Sequence, residues 1–264
     1  MIRLTKVSKQ FRTGVFALSD VSFEVEKGEF VFLVGPTGSG KTTIFRLLTR
    51  EAIPTAGEVI VDNWDVVKLP NNKIAHLRKK IGVVFQDLKL LMDRTIFENI
   101  ILPLEVSGID SIVATKIVEE IMEKVGLLDH KDKFPIQLSG GELQRTAIAR
   151  ALTLEPDILL ADEPTGNLDS ATAMEIVKLL SEINKKGTTI IMATHNEDVI
   201  KALSKRIISL NNGQLVGGNE KKPKEHAEHS EKKSAIIDVK DKKNPSAHSA
   251  SSGQASSGSR DEDF

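Results

Sequence analysis

The first 34 positions contain short runs in which apolar and polar residues alternate, separated by turn-forming residues. The runs cover residues 2–7, 21–25 and 29–34, and Gly14 and the pair Lys27-Gly28 lie between them. Alternation with a period of two, bounded by glycine, predicts β-strands. We therefore expect a β-rich N-terminal region whose last strand leads directly into a glycine-rich loop at residue 35.

In the rest of the chain, short apolar runs alternate with segments of helical spacing. Helices are predicted at residues 41–50 and 170–186, and strands at residues 58–61, 81–85, 158–161, 188–193, 207–210 and 214–216. Strands that alternate with helices form parallel sheets, so this order predicts an α/β core. Residues of about 87–156 have mostly helical spacing, over 95–105, 112–125 and 142–152, and we interpret them as a helical insert in that core.

Beyond Gly218 the sequence loses nearly all of its large apolar residues. From residue 220 onwards, nine basic residues balance nine acidic ones. Such a segment cannot bury enough apolar surface to offset the entropy of ordering it. We expect residues 219–264 to be a disordered polyampholyte tail, in which the apolar cluster 235–239 is either a short docking motif or, as composition favours, a chance patch.

Composition narrows the class of protein without choosing a function. Of the 264 residues, 40% are hydrophobic and 28% charged, and the net charge is −1. This charge provides no general attraction to nucleic acid, and we expect no nucleic-acid partner. There is no cysteine, which excludes disulfides and thiolate metal sites. No run approaches the ~20 apolar residues that span a bilayer, and residues 1–7 lack the apolar core of a signal peptide. We expect a cytoplasmic catalytic unit, whose membrane spans, if it needs any, come from another polypeptide.

The glycine-rich loop carries the pattern G-x-x-x-x-G-K-[ST] between a strand and a helix. In that context backbone N–H groups and the helix N-terminus surround a phosphate, Lys41 bridges the β- and γ-phosphates, and Thr42 ligates Mg²⁺. No Asn-Lys-x-Asp guanine motif is present, which favours ATP. The nucleotide contacts predicted here are Gly35, Pro36, Thr37, Gly38, Ser39, Gly40, Lys41, Thr42 and Thr43.

Polar residues follow three of the predicted core strands. Asp162 ends the strand 158–161 and is placed to orient Mg²⁺ through water, and Glu163 is one step further on, where a general base can act on the attacking water. Gln86 and His195 also follow apolar strands, and we expect both near the γ-phosphate if those strands lie beside the loop strand. We predict Glu163, His195 and Gln86 as catalytic residues.

A second glycine-containing helix start lies at Ser139-Gly140-Gly141-Glu142. Ser-x-x-Glu is a capping box, and starting the helix is a sufficient reason for it. Two adjacent glycines also leave the helix N-terminus open to an anion, which capping alone does not require. The two interpretations are compatible, and the second predicts a cradle for the ATP of a partner subunit.

An aromatic residue is expected against the adenine ring, and the chain has no tyrosine to supply it. Phe11 is predicted to lie in an early strand, where its face is able to stack on the base. Core packing is an alternative for Phe11, and Phe16 is a competitor for the stacking position.

Taken together, the phosphate loop, Gln86, the Leu138–Glu142 motif, the pair Asp162-Glu163, the loop 166–169 and His195 resemble the ABC-type ATPases over residues 1–217. The resemblance implies a P-loop nucleotide-binding domain at 1–218 with a mostly parallel sheet, an N-terminal antiparallel β subdomain and the helical insert. It implies Mg²⁺ at Thr42, Gln86 and, through water, Asp162. It also implies a homodimer in the ATP-bound state, with a dimer loop at Asn167, Leu168 and Asp169.

Within this superfamily, residues 91–95, 134–137 and 192–195 look like those of the bacterial cell-division branch. That resemblance implies a peripheral protein on the cytoplasmic face of the membrane, at the division site. Its polytopic membrane partner would dock near residues 86–95 and activate peptidoglycan hydrolases outside the cell. The alternatives are the ATPase of a transporter or lipoprotein-release system and, as a different class, a non-hydrolysing sensor or a soluble chromosome or ribosome factor.

Overall fold

The computed structural model describes residues 2–11 and 14–216, all within the first, Met1–Lys224, of two units into which the chain divides. The predicted tail lies outside the described residues. In chain order the strands are β1 Ile2–Gln10, β2 Phe16–Val25, β3 Phe30–Val34, β4 Ala56–Val61, β5 Trp64–Asp65, β6 Ile81–Val84, β7 Ile158–Asp162, β8 Thr189–Ala193, β9 Arg206–Asn211 and β10 Gln214–Leu215. The α-helices are α1 Lys41–Leu48, α2 Asn71–Lys79, α3 Ile96–Val106, α4 Ser111–Lys124, α5 Gly140–Leu152, α6 Ser170–Lys185 and α7 Glu197–Leu203, with short 3₁₀ turns at Leu128–His130 and Pro135–Gln137.

These strands form two sheets of different kinds. The smaller sheet has the order β2-β1-β4-β5 and is antiparallel throughout. The larger has the order β10-β9-β3-β8-β7-β6, and every pair in it is parallel except β9 with β10. The mostly parallel core and the N-terminal antiparallel region are therefore confirmed. Residues 58–61, predicted as a strand after the phosphate loop, belong to β4 of the antiparallel sheet.

Strand β3 shows how one short run of sequence supports two cores. Its side chains alternate between faces, because successive residues of a strand point to opposite sides. Val31 and Leu33 pack into the cluster formed with the antiparallel sheet and α1, whereas Phe32 packs into the cluster formed with α5 and α6. Burial on both faces explains why 30–34 is apolar without interruption. The loop that follows is thus anchored on both sides of the sheet.

The helices α3, α4 and α5 occupy the segment between β6 and β7. A third core cluster joins α3 and α4 through residues such as Ile100, Val118 and Met122, and Ala149 of α5 packs against it. Helix α5 also contributes Ala147 and Ile148 to the cluster on the sheet. It therefore connects the inserted helices to the parallel sheet.

Two helices were not predicted from the sequence. Helix α2 has only Leu77 buried, and α7 is seven residues long, with Val199 buried and Ile200 and Leu203 partly buried, so the apolar spacing in each is too short for the prediction. None of the helices among the described residues combines the length and the apolarity that crossing a bilayer requires.

Candidate active site

The phosphate loop, residues 35–42, connects the end of β3 to the start of α1. Gly38 and Gly40 have φ of 80° and 108°, in the left-handed region that favours glycine. A Cβ at Gly40 would lie 2.7 Å from the carbonyl oxygen of Ala17, so only glycine fits there. Helix α1 begins without a side-chain cap and without an acidic residue in its first turn. Its first N–H groups therefore remain available to an anion.

Lys41 is buried at the centre of this loop. Its Nζ donates to the carbonyl oxygens of Gly35 at 2.7 Å and Pro36 at 3.2 Å, and lies 3.7 Å from Oε1 of Glu163. The buried hydroxyl oxygen of Ser39 has no hydrogen-bond partner. An unsatisfied buried hydroxyl beside a buried ammonium is costly unless a ligand completes the site. The loop therefore fits a phosphate.

Thr42 and Asp162 connect the loop to the end of β7. Thr42 Oγ1 donates to Asp162 Oδ2 at 2.9 Å, and both residues line a cavity of ≈ 520 Å³ together with Gln86 and Asn167. Burial raises the pKa of Asp162 and nearby Glu163 adds to that rise, while the Thr42 hydrogen bond opposes it. Hydroxyl, carboxylate and amide oxygens around one cavity suit a hard cation such as Mg²⁺, which takes few protein ligands and keeps several waters.

Glu163 adopts a backbone conformation that is unusual for its residue type. Its φ is 49°, and its N–H donates to Ala193 O at 2.9 Å, which ties the residue to the end of β8. Its side chain is 10% exposed, and Oε2 lies 2.8 Å from Nδ1 of His195 without the alignment of a hydrogen bond. Left-handed residues other than glycine persist where the surrounding structure determines them, typically at functional sites. The backbone thus directs this carboxylate between Lys41 and His195.

Gln86 and His195 follow strands that lie at different distances from β3 in the sheet. His195 follows β8, which pairs directly with β3, as expected. Gln86 follows β6, which is separated from β3 by β7 and β8, so the condition that its strand lies beside the loop strand is not met for Gln86. Gln86 instead shares the cavity with Thr42 and Asp162.

The helix start at Ser139 contains the capping box that the sequence predicts. Ser139 N–H and Oγ both donate to Glu142 Oε2, at 2.7 and 2.6 Å, and these bonds lower the pKa of Glu142. A Cβ at Gly141 would lie 2.5 Å from Cγ2 of Thr172, so packing against α6 also requires glycine there. Among the described residues, the hydrogen bonds and ion pairs do not join residues 139–142 to the phosphate loop.

The predicted dimer loop lies against this helix start. A Cβ at Gly140 would lie 3.3 Å from Leu168, and the carboxylate of Asp169 caps α6 by accepting from Ala171 N and Thr172 N, both at 3.0 Å. Asn167 is exposed and lines the cavity beside Asp162. Residues 167–169 therefore connect the Asp162 cavity to the start of α5 within one chain.

Phe11 is not part of a strand, contrary to expectation. It follows β1, which ends at Gln10, and its N–H donates to Val15 O in the connection to β2. Its ring is 41% exposed and lies 5.5 Å from the ammonium of Lys9. Core packing of Phe11 is thus excluded. Phe16, at the start of β2, is also exposed.

Two residues outside the sequence motifs hold the segment that begins at Gln86. The buried amide of Asn99 accepts from Leu91 N at 2.8 Å and donates to Leu91 O at 2.9 Å. Arg150 of α5 donates to Leu88 O at 2.6 Å and to Lys89 O at 2.7 Å. A polar Asn within an apolar helical pattern is a sequence signal for a buried side chain that needs hydrogen-bond partners. Arg150 has no comparable signal.

A phosphate loop after β3, an Asp-Glu pair after β7 and a glycine-started helix in a helical insert define an ABC-type ATP-binding cassette. The ABC transporter family model matches residues 18–166. The chain is 45% identical over 216 residues to the cell division ATP-binding protein FtsE of Bacillus subtilis, which covers 82% of this chain and 95% of that protein. It is 46% identical to FtsE of Mycobacterium tuberculosis, over 82% of this chain and 94% of that protein.

Solved structures agree with the sequence matches. The dimeric post-hydrolysis state of the ATP-binding cassette MJ0796, bound to ADP and Pi, superposes with a TM-score of 0.76 at 36% identity, over 83% of this chain and 98% of that one. The chain belongs to the FtsE family of cell-division ATP-binding proteins, within the ABC ATPase superfamily. It is an ATP-binding, ATP-hydrolysing enzyme of that class.

Proposed function

We propose that this chain powers a cell-division complex in which ATP closes a dimer of two copies, and that the closure acts on a polytopic membrane partner resembling FtsX. The observation that carries the proposal is the placement of Glu163, whose buried carboxylate lies beside both Lys41 and His195. The names of the relatives, cell division ATP-binding proteins, supply the biological task.

Hydrolysis is assigned to residues at the carboxyl edge of the parallel sheet. The phosphate loop binds the triphosphate, and Lys41 exchanges its loop carbonyls for phosphate oxygens. Glu163 takes the proton of the attacking water, a role typically worth about 10²- to 10⁴-fold. His195 orients the Glu163 carboxylate, and Gln86 contacts the γ-phosphate side of the cavity. Thr42, Gln86 and, through water, Asp162 would hold Mg²⁺, which would supply charge neutralisation of the phosphates.

The start of α5 is assigned to the ATP of the opposing copy. In one chain, residues 139–142 are not joined to the phosphate loop by the described hydrogen bonds, which supports a role in trans. Gly140 and Gly141 leave the helix N-terminus without side chains that would exclude an anion. A solved relative is dimeric with ADP and Pi bound. ATP binding is then the closing step, and hydrolysis reopens the pair.

The substitution Glu163→Gln tests the mechanism. The variant should bind ATP, hydrolyse it at about 1% of the wild-type rate or less, and accumulate as a dimer, because the base is lost while the cradle remains. Dimer formation is measured by light scattering after gel filtration with Mg-ATP. Glu182→Gln, which breaks only a surface ion pair with Lys185, is the matched control and should keep wild-type turnover. Near-wild-type turnover of Glu163→Gln would remove Glu163 from the mechanism.

The partner and the location are tested together. The full-length chain is used to capture its partners from detergent-solubilised membranes, and the bound polytopic protein is identified by mass spectrometry. A polytopic protein with a large extracellular loop supports a chain that binds the cytoplasmic face of the membrane at the division site and controls peptidoglycan hydrolysis outside the cell. Capture of a transporter's membrane domain with a substrate-binding protein would instead assign the chain to transport.

A further inference from the structure

The segment between β6 and α3 contains two consecutive residues in the left-handed conformation. Leu88 has φ of 56° and Lys89 has φ of 50°. Residues with a Cβ adopt this conformation at an energetic cost, and it persists only where contacts determine it. The segment, residues 86–95, begins with the proposed catalytic Gln86. Local backbone bonds, from Leu88 N to Phe85 O at 3.0 Å and from Lys89 N to Asp87 O at 2.6 Å, form part of this shape, and contacts from outside the segment complete it.

The outside contacts that hold the left-handed pair come from α5. The guanidinium of Arg150 donates to Leu88 O at 2.6 Å and to Lys89 O at 2.7 Å, so one side chain holds the carbonyls of both left-handed residues. The planar fork of an arginine suits two acceptors held in fixed positions. Further along the segment, Asn99 of α3 pairs with both the N–H and the carbonyl group of Leu91. The segment is thus fixed at two points by inserted helices.

Helix α5 also carries the proposed trans site. It runs without interruption from Gly140 to Leu152, with Ser139 as its cap, so Arg150 and the helix start belong to one rigid element. Lys89 lines both the cavity that contains Thr42 and Asp162 and a second cavity of ≈ 500 Å³, which Arg150 itself lines. A shift of α5 would therefore move Lys89, which lines the nucleotide cavity. It would also move Leu88, which is two residues from Gln86 in the sequence.

We propose that Arg150 is a positioning residue that couples helix α5 to the Gln86 segment and thereby sets Gln86 at the nucleotide. The proposal deepens the proposed function and rests on it for the role of Gln86. Arg150 itself touches neither nucleotide nor water in this scheme, and it acts through the Leu88 and Lys89 carbonyls.

The test uses the full-length chain with Arg150→Ala. Hydrogen exchange of the amides of residues 86–95 should become faster, because the contacts that hold the left-handed pair are gone. The kcat for ATP should fall about 10- to 100-fold, the cost of a misplaced group near the chemistry, while the KM changes little because the phosphate loop is intact. Arg150→Lys, which keeps the charge and a single donor nitrogen in place of the two-pronged guanidinium, should be intermediate in both measurements and covers the case in which the alanine variant does not fold.

A matched control separates positioning from general stability. Arg78 of α2 donates in the same way to Thr49 O and Arg50 O, and Arg50 is also left-handed, with φ of 57°. Arg78→Ala should therefore lose comparable thermal stability and keep its kcat. Lys89→Asn in the Arg150→Ala background should restore part of the kcat, because asparagine tolerates the left-handed conformation.

The outcomes distinguish this inference from the proposed function. If wild type hydrolyses ATP no faster than Glu163→Gln, the proposed function fails, and the exchange of residues 86–95 still decides whether Arg150 holds the segment. If wild type is active and Arg150→Ala matches it in kcat and in exchange of residues 86–95, the positioning role is overturned. If Arg150→Ala loses no more kcat than Arg78→Ala does, Arg150 has a structural role alone.

Discussion

Thr42 and Asp162 are 120 residues apart in the sequence and are joined by a 2.9 Å hydrogen bond, from the Thr42 hydroxyl to Asp162 Oδ2. The bond links the first turn of α1 to the end of β7, although β8 lies between β3 and β7 in the sheet. A hydrogen bond to an ionised carboxylate is stronger than a neutral one, and it holds the hydroxyl toward the cavity. The two motifs therefore form one site.

We predict that Asp162→Asn stabilises the nucleotide-free protein while it abolishes Mg-dependent turnover. Burial and the neighbouring Glu163 raise the pKa of Asp162, so its ionised form costs native stability at neutral pH. An asparagine carbonyl still accepts from Thr42 and carries no charge. The free energy of unfolding should rise by about 0.5–2 kcal/mol, the usual gain when a substitution removes a destabilising group. It is measured by urea denaturation at pH 7.

The gain should depend on pH with a definite sign. Because the folded pKa of Asp162 is above its ordinary 3.8, the cost of ionisation is full above the folded pKa, shrinks as pH falls through it, and vanishes below 3.8. Asp62 is the opposite case, since the hydrogen bond from Lys80 lowers its pKa. Asp62→Asn should destabilise at neutral pH, and its effect should vanish at lower pH. A stabilisation by Asp162→Asn that persists below pH 3.8 would contradict this account.

Lys41 and Glu163 should be energetically coupled in the absence of nucleotide. Their charged atoms are 3.7 Å apart and both side chains are about 90% buried, with 8% and 10% exposed. Removing either charge leaves the other buried with less compensation, so Lys41→Met and Glu163→Gln should each destabilise. A double-mutant cycle in urea should give a coupling of about 0.5–3 kcal/mol. Additive effects would show that the loop carbonyls alone compensate Lys41.

The sequence predicts the local parts of this site better than their arrangement. A strand, a glycine loop and a helix are consecutive in the chain, so their pattern identifies the phosphate loop and its Lys41. The order of strands depends on packing of distant segments, and the sequence does not predict that β7 and β8 separate Gln86 from the loop strand. The left-handed φ of Glu163 is likewise imposed by its bond to Ala193 O.

Polar surfaces and close packing account for the other differences. Helix α2 buries only Leu77, and α7 packs Val199, Ile200 and Leu203 against the core within only seven residues, so the apolar spacing in each is too short to reveal a helix. Phe11 follows β1, because the strand ends one residue earlier, and sequence boundaries are uncertain by a few residues. The sequence predicts an opening for an anion at Gly140 and Gly141. The structure adds close packing of Gly141 against Thr172, which no sequence pattern shows.

The substitution Ser139→Ala should separate helix capping from dimer formation. Loss of the cap should cost about 0.5–2 kcal/mol of the free energy of unfolding. Asp110 caps α4 through Ile112 N and Val113 N, so Asp110→Ala is a control with a similar cost. In the Glu163→Gln background, only Ser139→Ala should reduce the ATP-induced dimer seen by light scattering. Equal dimer formation in both variants would leave Ser139 with a capping role alone.

Deletion of residues 219–264 should leave ATPase activity and thermal stability within about twofold and a few degrees of wild type, because a segment with so few large apolar residues has little apolar surface to bury. All residues assigned to the site lie between positions 11 and 195. Turnover and the melting temperature are measured for the shortened and full-length chains side by side. A large loss in either would assign the predicted tail a role in the catalytic unit.

The glycine at 141 has two proposed reasons, and a paired substitution distinguishes them. Gly141→Ala brings a Cβ to within 2.5 Å of Thr172 Cγ2, which should cost about 1–3 kcal/mol as overpacking. Thr172→Ser removes that methyl group and keeps the hydroxyl that donates to Asp169 Oδ2 at 2.6 Å. The double variant should therefore recover most of the stability, measured by urea denaturation. If packing is the only reason for glycine, ATP-induced dimer formation in the Glu163→Gln background should recover with it. We expect that it does not, because the added Cβ remains at a helix N-terminus that must approach the phosphates of the opposing copy.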